Sequence, residues 1–200
     1  MATVAQLVEA VSVVTMVEKK TVNSYGRALI DAGILPISKG RAIAHVTPQN
    51  SSYLLLAVSL QPLIRISADM VRLYGELIAE TNQGPVRAID CIADVFGAAS
   101  GGGLNNNEWD DLKLTIYESR LGLDLSLPKQ KGILKFRLAN SLDVPPMARV
   151  RLDPNPFFSR SASVPFDGFD FICQVMRARQ PEQVPQGKEC VDRIEALQGA

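Results

Sequence analysis

Apolar residues recur along this chain first at helical and later at strand spacing. Val4, Leu7, Val8, Val11 and Val14 mark one face of an amphipathic helix over residues 3 to 17, with Ser12 as the place where it would break. Thr21 is placed to cap a second helix over 22–32. Its inward positions are Val22, Tyr25, Ala28, Leu29 and Ala32, and Gly33 is its left-handed terminator. The opposite face carries Asn23, Ser24, Arg27 and Asp31. Residues 34–37 and 42–46 then read as a short hairpin around Ser38-Lys39-Gly40-Arg41. Thr47 before Pro48 starts a helix over 48–60 that is apolar nearly all round and therefore central to the core. Further helices are expected at 67–80 and at 85–97, the second opening on Pro85.

Beyond GAASGGGLNNNEWDD, which has the composition of a linker, the period becomes two. Leu112, Leu114 and Ile116 alternate with polar neighbours, as do Leu121, Leu123, Leu125 and Leu127, then Phe136 and Leu138, then Val150 and Leu152 between Arg149 and Arg151. Strands of a one-sided antiparallel sheet give this alternation. A strand near 159–164 and a helix capped by Asp167 follow, the helix bearing Phe169, Ile172, Cys173 and Met176; a short helix at 188–197 ends the pattern. The fold class is α+β. A helical part over 1–98 precedes a linker at 99–111, a β-rich interaction or oligomerisation part at 112–180 and a tail at 181–200.

Charge changes the picture through its placement. The 200 residues hold 21 basic and 21 acidic side chains. Residues 1–60 have five Lys/Arg against three Asp/Glu, 61–110 three against seven, and 111–180 eleven against seven, so an acidic middle separates two mildly basic parts. Three cysteines without a CxxC pair give neither a disulfide framework nor a thiolate metal site, and no apolar run is long enough for a membrane span, so a cytoplasmic protein is expected.

The stretches TVNSYGRAL (21–29), AGILP (32–36) and SKGR (38–41) together are similar to the reading helix and wing of winged helix-turn-helix regulators of the GntR and MarR kind. The resemblance covers about a seventh of the chain. Those families place two full helices before the reading helix, whereas about twenty residues stand here, which fits a minimal phage or mobile-element variant. It implies a double-stranded DNA partner and a homodimer. Asn23, Ser24 and Arg27 would face base edges or phosphate, and Lys19, Lys20, Lys39 and Arg41 would contact phosphate. A phage small-terminase-like packaging protein shares this domain order, and an interaction module without DNA binding is the third reading.

Other candidates carry less chemistry. Lys135, Arg137, Arg149 and Arg151 lie on the polar phase of their strands and would make a second basic face, or simply discourage edge pairing. His45 has no partner at ligand spacing and reads as a strand residue. Glu108, Asp110 and Asp111 beside Trp109 lack a second set of oxygen ligands, and SGGGL lacks the GK[S/T] of a phosphate loop. Neither enzyme activity nor a metal or cofactor is expected.

Overall fold

Thr3 and Gln6 open the fold with a reciprocal cap. The computed structural model describes residues 2–38, 43–100, 112–117, 121–126, 132–138 and 161–177. The Thr3 hydroxyl accepts from the Gln6 N–H, and the Gln6 side-chain carbonyl accepts from the Thr3 N–H, satisfying two donors that a helix start leaves orphaned. Helix α1 (Val4–Thr15) runs unbroken past Ser12, whose hydroxyl donates to the Glu9 carbonyl. It buries Leu7, Val8, Ala10 and Val11, the face that the apolar spacing marks.

Helix α2 (Lys19–Asp31) starts three residues before the position that a Thr21 cap predicts: Glu18 is the N-cap, and Thr21 lies inside the first turn with its N–H on the Glu18 carbonyl. Its end is as expected. Gly33 takes φ +71°, its N–H reaches Ile30 O, and the Ile34 N–H reaches Leu29 O, which is the paired arrangement of a Schellman terminus.

That terminus removes half of the expected hairpin. The N–H groups of Ile34 and Leu35 both bond Leu29 O, so they serve the helix end, and among the described residues no ladder joins 34–38 to 43–46. His45 instead makes an antiparallel bridge with Thr3, and the Val46 N–H donates to Ala2 O. Where the base of the wing is expected, the Ala44 N–H donates to Ser38 Oγ at 3.1 Å. Lys39 and Arg41 lie outside the described residues.

Helix α3 (Pro48–Leu60) begins with a Thr47/Asn50 capping box and buries Leu54 to Val58 without a gap, so it is the central helix. After a short 3-10 turn (Ile64–Ile66) comes α4 (Ser67–Gly75), and here the sequence reading is corrected. Instead of continuing to 80, the chain forms the hairpin β1 (Ile78–Thr81) and β2 (Gly84–Arg87) before α5 (Ala88–Ser100). Gly84 turns the chain at φ +111°, and the Thr81 hydroxyl fastens the turn by donating to Gly84 O. Pro85 is therefore a residue of an outer strand, where a missing N–H is tolerated, and does not open a helix.

Strands β3 (Lys113–Tyr117), β4 (Gly122–Ser126), β5 (Ile133–Phe136) and β6 (Ser161–Pro165) form one antiparallel sheet in the order β5-β4-β3-β6. Cross-strand pairs Leu114–Leu125, Leu114–Val164 and Leu123–Phe136 put these side chains on one face, and all are buried. Helix α6 (Phe166–Arg177) starts before Asp167, which lies in its first turn. It packs on both α1 and α5, with the Phe169 and Phe96 rings 5.0 Å apart and the Cys173 thiol donating to Phe96 O at 3.4 Å. Most of the expected linker is outside the described residues, and on either side of it the core is continuous. The strand around Arg149 and Arg151 and the helix at 188–197 also fall outside them. The architecture is α+β, and among the described residues no helix is long and apolar enough to cross a membrane.

Candidate nucleic-acid interface

Helices α1 and α2 are joined by only three residues, 16–18, and pack on each other. The turn is made by Met16, which closes α1 in the left-handed region at φ +54° with its N–H on Val13 O. Gly26 lies against α1, since a Cβ there would stand 3.3 Å from Val8 Cγ2. Two helices linked by such a turn are the elements of a helix-turn-helix.

Three side-chain bonds fix α2 and the segment after it from outside the pair. The buried Tyr25 hydroxyl donates to Pro62 O at 2.8 Å. At the other end Arg72 Nη2 donates to Ala32 O at 2.9 Å, satisfying a carbonyl at the helix terminus. Asn50 Nδ2 holds the next residues by donating to Ile34 O at 2.9 Å. Sequence reading places Tyr25 inward but cannot find its partner or Arg72, because these bonds span 37 and 40 positions.

The outward face of α2 is a stripe of Lys20, Asn23, Arg27 and Asp31, all exposed. Lys20, Asn23 and Arg27 thus come together on one surface, as the resemblance implies. Ser24 is half-exposed, and its hydroxyl proton is engaged on Lys20 O at 3.0 Å, so outward it can only accept. Lys19 pairs with Glu9 at 3.3 Å; with the two side chains 61% and 64% exposed, such a contact contributes at most about 1 kcal/mol and yields readily to another anion. Lys19, Lys20 and Arg27 are matched three to three by Glu9, Glu18 and Asp31 on the same two helices and the turn, so local charge alone makes this surface no strong anion attractor.

Of the second basic face, Lys135 and Arg137 are among the described residues. Asp124 lies across from Lys135 in the β4–β5 register, and Arg137 Nη2 is 2.8 Å from Asp124 Oδ1. Arg137 Nη1 donates to Leu123 O and Phe136 O, so this guanidinium, with its side chain 37% exposed, clamps β4 to β5. Gly122 makes room for it: a Cβ there would stand 2.9 Å from Arg137 Nη1. Lys135 is exposed, while Arg149, Arg151, Glu108, Asp110 and Asp111 lie outside the described residues. His45 is exposed beside its Thr3 bridge.

Two perturbed groups show what the remaining chemistry can do. Burial, reinforced by Asp94 and Asp90, pushes the Cys91 thiol up to about 12, which keeps it protonated and unreactive. Burial also raises the Tyr53 phenol, with Glu76 and Asp90 acting in the same direction. Arg87, hydrogen-bonded to Asp90 and paired with Glu76, ties the hairpin to α5 and to the end of α4. Among the described residues no group of three or more His, Cys, Asp or Glu side chains is placed to hold a metal ion. Comparison of the chain with family models, with curated proteins and with solved structures finds no match.

Proposed function

We propose that α1, the turn at 16–18 and α2 form a helix-turn-helix that reads double-stranded DNA, and that the protein is a sequence-specific transcriptional regulator acting as a dimer in the cytoplasm. One observation carries this reading: Lys20, Asn23 and Arg27 form a single exposed stripe on a helix whose buried side and C-terminal end are tied to α4 and to the segment before it. A major groove admits one α-helix, and affinity depends on how rigidly its side chains are held. Asn23 suits the adenine edge and Arg27 the guanine edge or a phosphate, with Lys20 and Lys19 on the backbone. The balanced local charge favours recognition by hydrogen bonds over a general basic field, so non-specific binding is to be sought at low salt.

A gel shift with sheared genomic duplex at about 20 mM salt, followed by selection of bound sequences, tests the proposal. Retardation is expected, with a salt slope of about −2 to −3 per protomer for the two or three cations available. Selected sites should contain half-sites about 34 Å apart. Absence of any retarded species at that salt would overturn the reading.

A further inference from the structure

A cleft of about 260 Å³ lies where the C-terminal ends of α1 and α3 meet the edge strand β6. Val14, Val17, Val58 and Val164 supply apolar walls, and Thr15, Ser59 and Ser163 supply hydroxyls. The cleft exceeds the roughly 150 Å³ cavity that holds benzene, so it admits a ligand of about ten non-hydrogen atoms.

The electrostatics of the cleft select the kind of ligand. Both helices end here in the left-handed region, at Met16 and Gln61, and each leaves carbonyls of its last turn beyond the reach of its own N–H groups. The negative ends of two helix dipoles therefore converge on one space. Neither helix has a basic residue in its last turn, and among the described residues no charged side chain lines the cleft. The Thr15 hydroxyl gives its proton to Val11 O at 2.7 Å, so toward the cleft it is an acceptor. The helix-end carbonyls and this hydroxyl oxygen are acceptors at this end of the cleft, while the Ser59 and Ser163 hydroxyls can donate or accept.

We infer that this cleft binds a small molecule bearing a primary ammonium group on a branched aliphatic body. The ammonium would sit among the helix-end carbonyls and the aliphatic part against Val14, Val58 and Val164. Such a ligand touches Met16 and Val17, the start of the turn that aims α2. Control of DNA affinity through that turn rests on the DNA-reading proposal; the site itself does not.

The test is a titration of the isotope-labelled full chain with isoamylammonium chloride, followed by amide NMR, with isoamyl alcohol and sodium isovalerate as matched controls. Saturable shifts are expected at Thr15, Met16, Val17 and Ser59 with a Kd of about 1 mM, and at least about tenfold weaker binding of both controls. Ser59→Lys places the protein's own ammonium at the end of α3 and should weaken the probe at least about tenfold while the spectrum elsewhere keeps its dispersion. Shifts that do not saturate, that lie elsewhere, that are as strong with the alcohol or the carboxylate, or that persist in Ser59→Lys overturn the inference. Duplex binding, measured on the same sample, reports separately on the DNA-reading proposal.

Discussion

The Tyr25 hydroxyl donates to the main-chain carbonyl of Pro62 across 2.8 Å in the interior, fastening the middle of α2 to the segment leading into α4. Tyr25→Phe keeps the ring and removes the donor, leaving a buried carbonyl without this bond. The expected loss is about 1–2 kcal/mol of stability, seen as a lower urea midpoint at unchanged slope. A midpoint within about 0.5 kcal/mol of the parent would show that the ring alone does the work.

Arg27 is exposed, so its removal separates recognition from folding. Arg27→Ala should leave stability within about 0.5 kcal/mol of the parent while weakening the selected DNA site by about 1–3 kcal/mol. The salt slope then tells which contact was lost. An unchanged slope indicates a base edge, and a slope smaller by about one indicates a phosphate. Lys20→Ala should lower the slope by about one and weaken all sequences alike. Unaltered affinity and slope in both variants would remove α2 from the interface.

The pattern of the chain reveals this face but not its supports, and the reason is distance along the chain. Alternation and capping are local, so the Thr47-Pro48 start of α3, the Gly33 terminus and strands β3 and β4 are legible. Pro85 misleads because a proline at a helix start and a proline on an outer strand leave the same local signature; the turn at Gly84 decides between them. The 34–46 hairpin fails for a related reason: the pattern of residues 34–37 suits a strand, while the backbone of Ile34 and Leu35 already serves α2. Arg137 is read correctly as polar-phase, yet its target is Asp124, 13 positions back on the neighbouring strand. Long-range pairing also places β6 beside β3 and brings α6 onto α1.

Gly168 tests that last contact. A Cβ at this position would lie 2.6 Å from Val14 Cγ1 and 3.2 Å from Val164 Cγ1, and valine has little freedom to swing aside. Gly168→Ala should therefore destabilise by about 1–3 kcal/mol through overpacking. Val14→Ala removes the obstructing methyls, so the double variant should lose less than the sum of the two singles by at least about 0.5 kcal/mol. Additive urea midpoints would mean that α1 and α6 do not meet at this pair.

Cys91 sets a pH dependence whose sign is fixed by its environment. Its thiol is neutral in the folded chain up to about 12, held there first by burial and then by Asp94 and Asp90, whereas the unfolded chain releases this proton near the ordinary value of 9.0. Above that value the unfolded state binds fewer protons than the folded state, so stability is fully present below about pH 9 and declines as pH rises toward 12. Tyr53, also raised, acts in the same direction and must be separated from the thiol. Cys91→Ala removes only the thiol: the cavity it leaves lowers stability at every pH, but the decline between about pH 8 and pH 10.5 should be shallower than in the parent. The check is a pair of urea titrations for each protein at those two values, and parallel declines would show that Cys91 is not a source of the effect.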